Sequence, residues 1–97
     1  MKVIIDGRSV LDEADLHRRL AGALGYGPFY RHELAGLRER LCAGDPRPLE
    51  LTVIHVSTLR MALGRAAFED LIATLTEIEA LDDGKPWAQR LVVRLFD

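Results

Sequence analysis

A single cysteine, Cys42, excludes an intramolecular disulfide and a thiolate metal cluster. Charge of one sign is equally scarce. Thirteen Lys and Arg stand against fifteen Asp and Glu, a formal net charge of −2 at neutral pH with the signs interspersed, whereas a nucleic-acid binder ordinarily carries a basic excess on one face. Arg31, Arg38 and Arg40 share one short segment, but on a helical wheel Arg40 points away from the other two and Glu39 lies between. No long apolar run occurs. The opening MKVIIDGRSV offers only Val3, Ile4 and Ile5 before Asp6, too short for a signal peptide or a membrane span. The expectation is a soluble protein of the cytoplasm.

Catalytic signatures are missing as well. Ser9 and Ser57 sit in no nucleophile elbow and Cys42 lies in no family-type motif. His17 and His32 lack the spacing of a metal site and are expected as surface or semi-buried side chains. Gly25 and Gly27 follow a helix rather than a strand, which rules out a phosphate-cradling loop. His55 and Ser57 would share a face in an extended segment, yet a strand residue beside a helix cap accounts for both. Neither enzymatic activity nor a cofactor or metal is expected.

What is present fits one domain over residues 1–97 with one core. Val3, Ile4 and Ile5, closed by the turn signal Asp6-Gly7, predict a strand buried on both faces. Asp12 is a helix cap, with Glu13 and Asp15 well placed against the dipole. Leu11 and Leu16 have hydrophobic-staple spacing, and Leu16, Leu20, Ala23 and Leu24 continue the apolar face. Gly25, Gly27 and Pro28 end that helix. Asp45, Pro46, Arg47 and Pro48 cannot be helical. Leu49, Leu51, Val53, Ile54 and Val56 predict a second strand, and Ser57 a cap for a short helix to Leu63, broken at Gly64. Phe68, Leu71, Ile72, Leu75 and Ile78 mark the longest helix, from Ala66 to Leu81. An exposed turn from Asp82 to Pro86 precedes a last apolar strand, Leu91 to Phe96. Strands alternating with helix pairs predict an α/β fold: a small three-stranded parallel sheet flanked by about four helices.

Residues 28–42, PFYRHELAGLRERLC, differ from this scaffold. An aromatic pair runs straight into a short charged helix, on which Tyr30, Leu34, Leu37 and Leu41 would be buried while Ala35, Gly36, Glu39 and Arg40 face solvent. Cys42 is expected buried, as a small hydrophobe. Periodicity alone makes this an ordinary surface helix.

Element order and several strings together resemble the barstar family of intracellular ribonuclease inhibitors. Val3 to Gly7 is similar to the family's first strand and turn, Asp15-Leu16-His17 to a triplet of its first helix, and Phe29-Tyr30 with Leu34, Leu37 and Leu41 to its aromatic loop and binding helix. Pro48-Leu49 entering a strand, the long helix carrying Glu77 and the terminal apolar strand complete the register. The resemblance implies a module that plugs a ribonuclease active site, its carboxylates standing in for RNA phosphates and an aromatic covering the base site. By position, Glu39 matches the family's central helix aspartate, Glu77 its acidic contact from the last helix, and Phe29 its loop tyrosine. Ala35 stands where the family has a second helix aspartate, Arg31 replaces a loop glycine and Arg38 a helix tryptophan. The implied partner-binding set is therefore Phe29, Tyr30, Arg31, Ala35, Arg38, Glu39 and Glu77, facing a cognate bacterial ribonuclease. The alternative is the same scaffold serving a different, non-nuclease protein partner.

Overall fold

A computed structural model describes residues 1–27, 30–43 and 47–97. Its elements are β1 (Lys2–Asp6), a 3-10 turn (Gly7–Ser9), α1 (Glu13–Leu24), α2 (Leu34–Ala43), β2 (Leu49–Ile54), α3 (Val56–Leu63), α4 (Arg65–Leu81), a second 3-10 turn (Trp87–Gln89) and β3 (Leu91–Leu95). The three strands form one parallel sheet in the order β1-β2-β3, Val3 standing beside Leu51 and Leu51 beside Val93. The expected α/β architecture is present. The roles expected of Pro28, Asp45 and Pro46 lie outside the described residues.

Local chemistry explains the element ends. The Asp12 carboxylate accepts from the Asp15 amide at 2.8 Å, and Gly25 closes α1 in the left-handed conformation that favours glycine. The staple expected there is not formed. Leu11 is 78% exposed, and the place beside the helix start is taken by Asp15, whose carboxylate accepts the Leu11 amide and bonds to Arg18 and Arg19. Those bonds hold Asp15 well below the usual carboxylate range, the Leu11 amide first among them. Ala23, expected on the buried face, is exposed. At α3 the cap is His55, in a left-handed conformation, rather than Ser57. Ser57 lies inside the first turn, and its amide donates to the Asp97 carboxylate at 3.0 Å.

Burial across the sheet alternates. Val3, Ile5, Leu49, Leu51, Val53 and Leu91 point into a core shared with Leu16 and Leu20 of α1, Leu37 and Leu41 of α2, Leu59 of α3, and Leu71, Leu75 and Ile78 of α4. Among the described residues no helix covers the opposite face. Ile4 is 68% exposed and Phe96 is also exposed, so β1 is not buried on both faces and the end of the last strand does meet water. Lys2, Glu50 and Arg94 make a row of ion pairs across that open face. Parallel sheets are normally covered on both sides; here charged side chains do part of that work.

The edge of β3 is closed by carboxylates. Arg90 and Phe96 bond to β2, which turns the amides of Leu91 and Val93 outward, where Asp82 and Glu79 accept them at 2.8 and 2.7 Å. Asp82 is thus buried, contrary to the exposed turn expected at that point.

Candidate docking face on α2 and α4

Tyr30 anchors the site from below. It is 6% exposed, its hydroxyl shares a 2.9 Å hydrogen bond with Nδ1 of His17, and its ring packs against Tyr26 and His32 at centroid distances of 4.8 and 5.3 Å. His17, expected at the surface or semi-buried, is in fact fully buried at 1% exposure. Burial lowers its pKa, partly offset by Glu13, so the neutral ring is the form the fold favours. A loop aromatic and a first-helix histidine therefore fix the start of α2 on the core.

With Tyr30, Leu37 and Leu41 turned inward, α2 presents Ala35 and Glu39 to solvent, with Arg38 partly exposed. Glu39 is 71% exposed at its side chain and pairs with Arg31 at 3.2 Å, while Arg31 also reaches Glu33 at 3.4 Å. Arg38 crosses to α4 and pairs with Glu77 at 2.6 Å. Its hydrogen bond and charge lower the Glu77 pKa, and Glu77 in turn raises that of Arg38. Both carboxylates are thus matched internally by arginines.

The structure brings Arg31, Glu39, Arg38 and Glu77 together as two neighbouring ion pairs, with Ala35 exposed on the same helix. Phe29 lies outside the described residues. Arg40, expected to point away, lines a shallow recess with Tyr30, Arg31, Gly36 and Glu39, and its guanidinium stacks over Tyr26 at 5.3 Å. Gly36, expected in solvent, is buried. An added Cβ would come within 2.5 Å of the Arg31 carbonyl, so the chain entering α2 folds back onto the helix at a spot that only glycine leaves open. Cys42 is exposed rather than buried, because Leu41 takes the inward position beside it.

Sequence reasoning missed the His17–Tyr30 bond, the Arg38–Glu77 bridge and the Arg40–Tyr26 stack. The histidine did occur at the right place in the Asp15-Leu16-His17 triplet, but no linear pattern pairs a residue with another thirteen positions away. Among the described residues no helix is long and apolar enough to cross a membrane.

No curated protein matches the chain. The family model for barstar, described as the barnase inhibitor, matches residues 1–93. Together with the parallel sheet and its helices, a match over all but the last four residues places this chain in the barstar family.

Proposed function

We propose that the protein is an inhibitor that docks residues 28–42, together with Glu77, over the active site of a cognate bacterial ribonuclease from within the cytoplasm, without catalysis or a cofactor of its own. The observation carrying this reading is the arrangement of α2 in a barstar-family chain. Tyr30 and His17 tie the helix start to the core, while Glu39 stands in solvent beside Arg31 and within reach of a facing surface. A nuclease cleft that binds RNA phosphates is cationic, and a carboxylate on a rigid helix can occupy a phosphate position. Ala35 removes one such group, and the arginines neutralise the remaining two.

Inhibition of RNA cleavage by the ribonuclease encoded beside this chain, with a complex seen by calorimetry, tests the proposal. Glu39→Ala is expected to weaken binding by roughly thirtyfold, the scale of an interface hot spot. Arg40→Ala should change it less. Equal effects would take Glu39 out of this role, and absence of both complex and inhibition would refute the reading.

The two ion pairs favour a second reading, in which the face meets a non-nuclease protein of mixed charge. Fold does not fix the partner. Recovery of a single non-nuclease partner, bound through Arg31 and Arg38, would decide for it.

A further inference from the structure

The two edges of the sheet are treated differently. On β3 the outward amides of Leu91 and Val93 are occupied by Asp82 and Glu79. Among the described residues β1 has no such cover. The Glu50 amide bonds to the Met1 carbonyl and the strand runs parallel to β2, so residues 1, 3 and 5 serve the ladder and the backbone groups of Lys2, Ile4 and Asp6 point outward. Among the described residues nothing accepts those three amides, and only the Asp6 carbonyl is used, by the Ser9 hydroxyl. A shallow groove follows this edge, lined by Ile4, Asp6, Ser9 and, on α1, Arg19, Gly22 and Ala23. Gly22 and Ala23 are exposed, and the space around Gly22 is open.

Side chains on the same strand specify what fits. Lys2, Ile4 and Asp6 all project onto the open face of the sheet, with Ile4 68% exposed and Lys2 held only by a 4.0 Å contact to Glu50. The order basic, apolar, acidic is self-complementary when read in the opposite direction. We infer that β1 is a docking edge for a second copy of this chain, paired antiparallel about a two-fold axis at Ile4.

In that register Ile4 lies opposite Ile4 of the second copy and exchanges two backbone hydrogen bonds with it. Lys2 faces Asp6 of the second copy on the same side of the sheet, twice by symmetry, and two three-stranded sheets become one of six. The Asp6 carboxylate keeps its bond to Arg8, so Lys2 adds to an existing pair rather than replacing it. The five residues of β1 make this a small contact and therefore a weak dimer. None of them lies on α2 or α4, so the edge works independently of the docking face.

Sedimentation velocity from about 10 µM to about 1 mM tests the inference. The expected mass rises from 10.9 kDa toward twice that value. Ile4→Pro removes an amide that the β1–β2 ladder does not use and should hold the protein monomeric with an unchanged circular dichroism spectrum. Lys2→Glu sets like charges opposite one another and should weaken the dimer about fivefold or more. Amide hydrogen exchange at Ile4 in the unmodified protein should slow as concentration rises. A wild-type mass that stays at 10.9 kDa, an Ile4 amide that exchanges at the same rate throughout, or self-association that survives both substitutions would each overturn it.

Discussion

Removing the Asp82 carboxylate should cost far more than its place in a turn suggests. The group is 5% exposed and accepts from the Leu91 amide at 2.8 Å, from Arg47 Nε at 3.1 Å and from Lys85 Nζ at 3.1 Å. In Asp82→Ala the buried Leu91 amide loses its partner, a loss of about 1–3 kcal/mol. Arg47, mostly buried, loses its carboxylate as well, whereas the exposed Lys85 contributes little. Together these come to about 2–4 kcal/mol. At about 4–8 °C per kcal/mol for a chain of this size, the midpoint should fall by at least about 8 °C. Urea denaturation followed by circular dichroism measures the difference, with the slope against denaturant unchanged. Asp82→Asn keeps an oxygen for the Leu91 amide and should lose less. Asp83→Ala, next door and exposed, should stay within about 0.5 kcal/mol of the parent. Arg47 also donates to the Leu41 carbonyl in the last turn of α2, so Asp82→Ala should speed amide exchange at that end of the helix. If Asp82→Ala is no worse than Asp83→Ala, the carboxylate is not the tie between α4, β3 and α2 described above.

Four further outcomes rest on the geometry. Replacing glycine by alanine inside a helix ordinarily stabilises by about 1 kcal/mol, but Gly36→Ala should destabilise by about 1–3 kcal/mol because the new methyl meets the Arg31 carbonyl; a raised thermal midpoint would contradict this. Stability should decline as pH drops below 6.5, since burial lowers the His17 pKa and its contribution is complete only above the ordinary value. A second decline belongs below 3.8, where Asp15 and Asp82 lose theirs; burial alone would raise Asp82, but the Leu91 amide, Lys85 and Arg47 together outweigh it. A denaturation series across pH shows both steps, and Tyr30→Phe should lower the whole curve by about 1–3 kcal/mol. Cys42, being exposed, should react with a thiol reagent in the native protein at the rate seen after unfolding; protection in the folded state would place it inside.

Linear patterning carried the order of elements. Alternating strand and helix periodicities, the Asp12 cap and the glycine stop at Gly25 are local signals, each fixed by chemistry within one or two turns of chain, and they appear where expected. Element order and the matching strings likewise pointed to the family. Faces were harder. Ile4 and Phe96 have the same composition as buried residues, and only the sheet's one-sided covering leaves them in water.

The site divides along the same line. Helical spacing puts Ala35 and Glu39 on the outer face of α2, where they lie, but it puts Gly36 there too, which the chain folding back at Arg31 buries. What the outer residues do to each other was not legible in the sequence. Arg31 and Glu39 are eight positions apart and Arg38 and Glu77 thirty-nine, and pairing over such separations depends on where α2 lies against α4. The buried His17–Tyr30 bond and the closing of the β3 edge by Glu79 and Asp82 arise in the same way. The sequence by itself determined the elements, their order and the helix that faces outward, because those depend on neighbours along the chain. Only the tertiary structure decided which charges neutralise one another, which histidine is buried and which sheet edge stays open, because those depend on neighbours in space.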